Sequence, residues 1–158
     1  ITSGNKWQYI SWAKSVDGVG DAKCLPLWNG AGTVKVIIVD SEKQLAGSEL
    51  INKVQSYIDE QCPIGADVTV TTATTVSINV TFSADVDEST IESIKANIRN
   101  YLRDVSFANG YVSYAKIGQT ILNTDGVDDY SNLKINSKTE NIAISETEIA
   151  VLGGVTVG

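Results

Sequence analysis

Several residue types are missing or scarce in this sequence. It contains no histidine and no methionine, and it has only two cysteines and two prolines among 158 residues. Without histidine, the Ser-His-Asp and Cys-His nucleophile systems and the commonest zinc-ligand sets cannot form. Catalysis based on lysine or carboxylate side chains remains possible, but no constellation of residues in the sequence supports it. We therefore predict that the protein is not an enzyme and has no catalytic, cofactor-binding or metal-binding residues.

The sequence also lacks clustered positive charge and any long apolar run. Its net charge is −7 and its 12 basic residues are scattered, whereas nucleic-acid binding needs clustered lysine and arginine. No stretch approaches the roughly 20 apolar residues that span a bilayer, and no signal peptide is visible. We expect neither nucleic acid nor a membrane as a partner. The start at Ile1, without a methionine, predicts a fragment whose N-terminal part is missing.

The composition is otherwise that of a folded protein. Apolar residues make up 42% and charged residues 20% of the chain, as in ordinary globular domains. Its length suits one compact domain or two small modules. Cys24 and Cys62 could form a disulfide, or one could act as a nucleophile. Because disulfide frameworks are typical of short, cysteine-dense secreted chains, we instead predict two small buried side chains in a reduced compartment.

The first half of the chain predicts a helix followed by a β-hairpin. Apolar residues recur every three positions in Gly4–Val16, which favours a helix, although Trp7 and Tyr9 alternate as in a strand. Ala22–Leu27 and Thr33–Val39 predict two strands, and the Asn-Gly-Ala-Gly sequence between them predicts a tight turn.

A second helix and a further strand follow the hairpin. Ser48–Gln61 has one apolar stripe at helical spacing, formed by Leu50, Ile51, Val54, Tyr57 and Ile58. Ordering each backbone residue costs about 1–2 kcal/mol, so this helix must be stabilised by packing on the sheet. Asp67–Thr71 then predicts a strand with Val68 and Val70 on one face.

The second half begins with a strand and a helix. Alternation of apolar and polar residues from Val76 to Phe82 predicts a half-buried strand. Ser89 and Glu92 have capping-box spacing, which predicts a helix start. The helical stripe that follows consists of Ile91, Ile94, Ile98, Tyr101 and Leu102.

The remaining segments are less regular. We predict a helix over Val112–Asn123, a strand over Val127–Ile135, and one or two closing strands in Asn141–Val157. Asp17-Gly18-Val19 and Asp125-Gly126-Val127 each lie between a predicted helix and a predicted strand. They could reflect a duplicated α/β unit or two uses of a common turn, and three identical residues do not decide between these.

Together these elements predict an α+β protein. We expect two small modules, residues 1–74 and 75–158, with the division near Thr71–Thr75. Each module would pack its helices on a mostly antiparallel sheet.

Two polar segments could be sites. The Gly30–Gly32 stretch lacks Gly-Lys-Ser/Thr and leads into a strand, so it predicts a hairpin turn and not a phosphate loop. Asp125, Asp128 and Asp129 could bind calcium or form an acid–base pair. They lack the spacing and the terminal glutamate of an EF-hand, so a solvated turn is favoured.

The tryptophans raise the possibility of ligand binding. Trp7, Trp12 and Trp28 could stack on sugars, but all three flank predicted packing elements, which favours burial in the core or at a subunit interface. The Asn79-Val80-Thr81 glycosylation triplet lies inside a predicted strand and is attributed to chance. Two alternatives remain open. A carbohydrate- or receptor-binding module requires two tryptophans exposed in one concave patch, and a metal-assisted hydrolase requires the three aspartates to converge.

Short motifs along nearly the whole chain resemble, in order, those of baseplate J-like proteins. In the first half they are Gly4-Asn5, Tyr9, Trp12-Ala13, Gly18-Val19-Gly20-Asp21-Ala22, Pro26 to Val34, Glu49-Leu50 with Val54 and Ile58, and Cys62 to Val68. In the second half they are Ile98, Tyr101-Leu102, Gly110, Ile117, Gly126 to Tyr130, Leu133, Asn136, Asn141-Ile142 and Leu152-Gly153. Most are turn or core positions, and their order carries the resemblance. The chain is similar in particular to the PBSX-type versions found in phage-like elements of Gram-positive bacteria.

The resemblance implies a structural role in the baseplate wedge of a contractile phage tail or phage-like particle. In this family, copies surround the tail tube around a sixfold axis and contact other baseplate and tail proteins. Rearrangement of the wedge subunits triggers sheath contraction. The resemblance also implies assembly in the bacterial cytoplasm and location at the tail baseplate. It transfers no catalytic residues.

Overall fold

The computed structural model describes residues 5–158 and divides the chain into two compact units, Ile1–Thr74 and Thr75–Gly158. In the first unit the elements are α1 (Lys6–Ser15), β1 (Val19–Pro26), β2 (Thr33–Asp40), α2 (Ser48–Gln61) and β3 (Asp67–Thr72). The next strand begins at the boundary, and the elements are β4 (Thr74–Ser83), α3 (Glu88–Val105), β5 (Tyr111–Val112), α4 (Tyr114–Leu122), β6 (Ser131–Ile135), β7 (Ile142–Ala143) and β8 (Glu148–Val157). Helices and strands occur in similar amounts, and the predicted α+β class is confirmed.

The first unit is a three-stranded sheet with two helices. The strand order is β1-β2-β3, in which β1 pairs antiparallel with β2 and β2 pairs parallel with β3. A short turn joins the antiparallel pair, whereas the parallel pair needs a crossover, which α2 provides. The sheet is therefore mixed, whereas a mostly antiparallel sheet was predicted for each module, and the order of hairpin, helix and strand is the predicted one.

The core of the first unit lies between one face of this sheet and the two helices. Val36 and Ile38 of β2 face Val54 and Ile58 of α2, and all four are fully buried. Burying each such side chain contributes about 1.5–3 kcal/mol. α1 packs against both β1 and α2. The burial of apolar side chains from three elements holds the unit together.

The predicted α1 helix is confirmed over Lys6–Ser15, and of the apolar residues at three-residue spacing only Trp7 does not face the core. Gly4, at the start of the predicted range, lies outside the described residues. Asn5 is the N-cap and accepts a hydrogen bond from the backbone N–H of Gln8 at 2.8 Å. Tyr9 and Ala13 are buried, whereas Trp7 is 77% exposed. Residues four apart share a helix face, and Trp7 lies on the opposite side from Tyr9.

The second unit has a three-stranded sheet in the order β6-β4-β8 and a two-stranded β5-β7 ladder. β4 pairs antiparallel with β6, and β5 pairs antiparallel with β7. α3 packs against β8 and α4. It buries Ile94, Ile98 and Leu102, three of the five residues in its predicted stripe. The alternating burial of β4 agrees with the prediction.

The helix start predicted at Ser89 is wrong. α3 begins at Glu88, and Asp87 is its N-cap, accepting a hydrogen bond from the backbone N–H of Thr90 at 2.9 Å. The Ser89 hydroxyl donates to the same Asp87 carboxylate at 3.0 Å. Aspartate caps a helix as well as serine does, and it comes two residues earlier in the chain. Ser89 therefore supports the cap from within the first turn.

Two predicted elements in the second unit are shorter than expected. Val112 belongs to β5, where it pairs with Ile142, and α4 begins only after the N-cap Ser113. The predicted strand over 127–135 forms only at Ser131–Ile135. Asp129 accepts a hydrogen bond from the N–H of Tyr130 at 2.9 Å. Such local side-chain bonds compete with strand pairing, which explains the shorter strand.

The two Asp-Gly-Val sequences form the same kind of turn. The N–H of Val19 donates to the Val16 carbonyl and the N–H of Val127 to the Thr124 carbonyl, each closing a four-residue turn. Gly18 has φ +102° and Gly126 has φ +98°, at the position where a type II turn requires positive φ. The similarity of the turns is a structural fact, and duplication of the unit remains a hypothesis.

Candidate functional site

The three candidate aspartates do not converge. Asp128 and Asp129 line an open cleft of about 610 Å³ together with Asp85, whereas Asp125 does not line it. Within residues 5–158 there is no group of three metal-ligating side chains arranged to hold an ion. We call the feature formed by Asp85, Asp128, Asp129 and Tyr130 the acidic cleft. Its carboxylates are exposed, so it presents negative charge to solvent.

The tryptophans are less buried than predicted. Trp7 and Trp28 are 77% and 43% exposed, whereas Trp12 is partly buried and its ring meets that of Tyr9 edge-on at 5.4 Å. Of the two predicted places of burial, the core is wrong for Trp7 and Trp28, and burial at a subunit interface stays a prediction. Neither the acidic cleft nor the smaller cavity of the second unit is lined by a tryptophan.

Exposed apolar side chains lie on two adjacent loops of the first unit. Leu27 and Trp28 follow β1, and Ile64 lies in the α2–β3 loop. Leu27 is 66% exposed and Ile64 is fully exposed. The two loops are adjacent because the N–H of Asp67 donates to the Gly32 carbonyl at 3.0 Å. We call Leu27, Trp28 and Ile64 the apolar tip. It is the kind of exposed apolar surface that marks an interaction site.

The turn that carries the apolar tip is well ordered by hydrogen bonds. The N–H of Leu27 donates to the Thr33 carbonyl at 2.7 Å, and the Thr33 hydroxyl donates to the Gly30 carbonyl at 2.7 Å. Gly30 and Gly32 have positive φ, which glycine adopts without steric cost. The predicted hairpin turn is confirmed. The Lys35 ammonium lies 4.5 Å from the centre of the Trp28 ring, in a cation–π contact.

The shifted pKa values of three buried or partly buried side chains have structural causes. Burial raises the pKa of Cys24 and of Tyr9, and the nearby thiols of Cys62 and Cys24 raise the Tyr9 pKa further. Burial also raises the pKa of Tyr101, whose hydroxyl accepts a hydrogen bond from the N–H of Ser113. Shifted pKa values often mark active sites, but none of these groups lines the acidic cleft.

Both cysteines are free thiols. Cys24 is buried in the core of the first unit, as predicted, whereas Cys62 is only partly buried and packs at its edge. The glycosylation triplet lies within β4, as predicted.

The family-like motif from Gly18 to Ala22 has a structural explanation. Gly20 is the extra residue of a β-bulge, where the register shifts between Val19 and Asp21. An ideal Cβ on Gly20 would lie 2.0 Å from the Asp40 carbonyl oxygen, so the position requires glycine. The Asp21 carboxylate accepts a hydrogen bond from the N–H of Ala22 at 2.8 Å. The Gly-Val-Gly-Asp-Ala motif thus encodes a turn followed by a bulge.

Asn136 extends the pairing between β6 and β4. It has φ +50°, a left-handed conformation that asparagine tolerates. Its side-chain oxygen accepts from the N–H of Asn79 at 2.8 Å, and its amide donates to the Ser77 carbonyl at 3.0 Å. One side chain therefore replaces the backbone partner of β4 at the point where β6 ends.

A second cavity is too small to be a ligand site. It lies beside Ser106 and has a volume of about 10 Å³, the space of about one water molecule. The Ser106 hydroxyl is buried and has no hydrogen-bond partner within the described chain.

Among the helices of residues 5–158, none is both long and apolar enough to cross a membrane.

Comparison with known families and proteins gives consistent matches. Residues 1–72 match the family model described as "Baseplate J-like central domain", and residues 74–158 match that of the "Baseplate J-like protein C-terminal domain". The chain is 38% identical to the phage-like element PBSX protein XkdT of Bacillus subtilis (strain 168), covering 98% of this chain and 48% of that protein. It is 26% identical to baseplate protein gp47 of Escherichia phage Mu, covering 96% of this chain and 45% of that protein.

The chain thus spans about half the length of the curated relatives it matches. Its fold also resembles a chain in the cryo-EM structure of the anti-feeding prophage (AFP) baseplate, 6-fold symmetrised. The TM-score is 0.68, the identity is 7%, and the match covers 91% of this chain and 36% of that chain. At this identity the likeness shows a shared fold.

Proposed function

Because the chain belongs to the baseplate J-like family, we propose that it is a structural part of the baseplate of a contractile phage tail or phage-derived particle. There it would act in tail assembly and in the triggering of contraction. The observation that carries the proposal is the match of two consecutive baseplate J-like domains over nearly the whole chain. The 38% identity to a PBSX protein supports the same assignment.

The side chains of the described residues agree with a mechanical role. Gly20 and Asn136, both within family-like motifs, shape a bulge and a strand pairing. The groups with shifted pKa values are explained by burial and by helix capping, and none lines the acidic cleft. The proposal therefore includes no catalytic step, no cofactor and no metal.

The proposed partners are other baseplate and tail proteins and further copies of the same protein around a sixfold axis. One relative is named as a baseplate protein of phage Mu, and the similar fold occurs in a 6-fold symmetrised baseplate. Neither nucleic acid nor a membrane is a proposed partner. Assembly would take place in the bacterial cytoplasm, before the completed particle is released.

The experiment that tests the proposal locates the full-length protein in particles. The gene would be deleted in the host and complemented with an affinity-tagged copy, and particles from an induced lysate would be examined by electron microscopy with gold-labelled tag antibody. We expect label at one end of the tails, and no complete tails in the deletion strain. Intact, functional tails in the deletion strain would contradict the proposal. A tagged cytoplasmic enzyme of the same host serves as the labelling control.

A carbohydrate- or receptor-binding module of the tail is the second candidate. The exposed side chains of Trp7 and Trp28 favour it, because aromatic faces can stack on sugars. Neither side chain lines the acidic cleft or the small cavity beside Ser106. Glycan-array binding that is lost in both Trp7→Ala and Trp28→Ala would support this candidate over a purely structural role.

A further inference from the structure

The chain contains two Asn-Gly pairs, Asn29-Gly30 and Asn109-Gly110, and both lie in exposed turns. We propose that Asn109 is a site of spontaneous deamidation, where asparagine is converted to aspartate and isoaspartate, and that the hydrogen bonds of its turn protect Asn29 from the same reaction. The inference goes beyond the baseplate role and does not depend on it.

The reaction needs no enzyme, since asparagine is a chemically labile residue. The backbone nitrogen of Gly110, after losing its proton to base, attacks the side-chain carbonyl carbon (Cγ) of Asn109. A C–N bond forms, the bond from Cγ to the side-chain nitrogen breaks, and ammonia leaves, so that a cyclic succinimide results. Water then opens this ring at either carbonyl group, giving aspartate or isoaspartate. Each conversion therefore consumes one water molecule and releases one ammonia.

A glycine after the asparagine favours ring closure. The backbone nitrogen of residue 110 must approach the Asn109 side chain, and glycine reaches the necessary φ and ψ values without steric cost because it has no Cβ. A side chain at this position would also crowd the attacking nitrogen. Every asparagine other than Asn29 and Asn109 precedes a larger residue. The reaction is therefore expected first at the two Asn-Gly pairs.

The turn at Asn109 leaves the reacting groups without hydrogen bonds. Among residues 5–158, the N–H of Gly110 donates to no acceptor and the side-chain amide of Asn109 has no hydrogen-bond partner. Both residues are exposed, so solvent base reaches the N–H. The amide is free to turn towards the attacking nitrogen.

The turn at Asn29 is held by hydrogen bonds on both sides of the reacting group. The N–H of Gly30, whose nitrogen would attack, donates to the Leu27 carbonyl at 3.3 Å. The N–H of Asn29 donates to the Thr33 hydroxyl oxygen at 3.0 Å, and that hydroxyl donates to the Gly30 carbonyl at 2.7 Å. Ring closure at Asn29 must break these bonds first, which raises its barrier.

Deamidation at position 109 changes the end of α3 and the start of the β5–β7 ladder. The N–H of Asn109 donates to the carbonyl of Val105, the last residue of α3, at 3.1 Å. A carboxylate there lies at the helix C-terminus, where negative charge is unfavourable. Glu148 lines the same small cavity as Asn109, so the new charge is also near a like charge. Isoaspartate lengthens the backbone next to Gly110, whose carbonyl accepts from the N–H of Ile144 at 2.9 Å.

Peptide mapping of the aged protein tests the proposal. The full-length protein would be incubated at mildly alkaline pH and digested, and mass spectrometry with electron-transfer fragmentation would distinguish isoaspartate from aspartate. We expect Asn109 to lose its amide about five to ten times faster than Asn29, the factor that one hydrogen bond to be broken contributes to a rate. Both products should form at position 109. The rate should rise with pH, because the attacking nitrogen must lose its proton.

Three comparisons separate the effect of structure from that of sequence. In urea the turns are lost, so the two asparagines should react at similar rates. Thr33→Val removes the hydroxyl that holds the Asn29 turn, and it should speed the reaction at Asn29 while leaving that at Asn109 unchanged. Gly110→Ala should suppress the reaction at Asn109. An ideal Cβ at position 110 meets only the Ile144 carbonyl oxygen, at 3.9 Å, so this variant should fold normally, which a thermal melt checks.

Several results would overturn the inference. They are equal or faster loss of the amide at Asn29 in the folded protein, aspartate without isoaspartate at position 109, and an unreacted Asn109 after a time in which the unfolded chain is fully converted. A difference between the two sites that persists in urea would assign it to sequence and reject the protective role of the Asn29 turn. Asn109→Asp, which carries the charge of one product, should melt at a lower temperature than the parent, and an unchanged melting temperature would reject the structural consequence.

Discussion

The carbonyl oxygen of Asp40 occupies the space where Gly20 would need a side chain. An ideal Cβ at position 20 would lie 2.0 Å from that oxygen and 3.2 Å from the Cα of Ser41. Both obstacles are backbone atoms, which cannot rotate away. The close approach follows from the bulge in β1, which brings the Gly20 backbone against the end of β2.

Gly20→Ala should therefore destabilise the first unit. We expect the free energy of unfolding to fall by about 1–3 kcal/mol, because overpacking forces the backbone to shift. Gly154→Ala is the control, since that strand glycine has ordinary space around its Cβ position and no positive φ. Its stability should stay within about 0.5 kcal/mol of the parent or rise slightly. Urea unfolding of both variants measures the difference, and equal losses would contradict the explanation.

Asp87 should make the stability of the second unit depend on pH. The backbone hydrogen bond from Thr90 holds the pKa of Asp87 below its ordinary value of 3.8. The charged form is thus favoured in the folded state, so its contribution is present above the unfolded pKa and is lost as pH falls through the lowered folded pKa. Asp87→Ala should lower the melting temperature at pH 7, and the difference from the parent should shrink below about pH 4.

Two variants separate this cap from the predicted one at Ser89. Asp87→Asn keeps an oxygen acceptor but cannot titrate, so its melting temperature relative to the parent should change over the same acidic range. Ser89→Ala should have a smaller effect than Asp87→Ala at pH 7, because Ser89 only supports the cap. A larger effect of Ser89→Ala than of Asp87→Ala would contradict this explanation and would support the predicted capping box at Ser89.

Gly118 and Tyr130 should be energetically coupled. A Cβ on Gly118 would lie 2.2 Å from the Tyr130 hydroxyl oxygen, so Gly118→Ala should destabilise the second unit by about 1–3 kcal/mol. Removing the hydroxyl with Tyr130→Phe relieves the closest contact, and the same alanine substitution should then cost less. A double-mutant cycle measures this coupling, and strict additivity would show that the clash is not the cause.

The two thiols should differ in reactivity. Cys24 is buried and its pKa is raised by burial, so at pH 8 it should remain a protonated, inaccessible thiol. Cys62 is partly exposed and should react first. A colourimetric thiol reagent should label one cysteine in the native protein and two in urea. Cys62→Ser should abolish the native-state labelling, whereas rapid labelling of Cys24 would contradict its burial.

Regular apolar patterns made much of the fold predictable. α2 occupies the predicted Ser48–Gln61, because its stripe and flanking breakers are both clear. β4 follows the alternation of Ile78, Val80 and Phe82. In these segments local preference and tertiary packing favour the same structure, which is the condition under which pattern reasoning works.

The sequence did not predict the structure correctly where a residue fits two environments, such as helix or strand, or core or surface. Val112 continues a helical pattern, yet pairing with Ile142 places it in a strand. Trp7 lies in a helix with apolar spacing, but the burial of Tyr9 and Ala13 turns it outward. Long-range contacts settle such cases, and periodicity does not report them.

The candidate surfaces were harder to predict than the fold. Leu27 and Trp28 are separated in sequence from Ile64, and only the β2–β3 pairing brings their loops together. Likewise Asp85 joins Asp128 and Asp129 through the fold of the second unit. The sequence offers Asp125, Asp128 and Asp129 as a possible cluster but favours a solvated turn, and it gives no sign of Asp85. Neighbours in sequence need not face the same cleft, and Asp125 does not line it.

Asn136 has a consequence for solubility. A strand that projects beyond its neighbour offers free N–H and C=O groups, on which another polypeptide can add as a strand and begin aggregation. The Asn136 side chain bonds the N–H of Asn79 and the carbonyl of Ser77 on just such a projecting part of β4. It thereby removes a template on which disordered β-aggregation could begin.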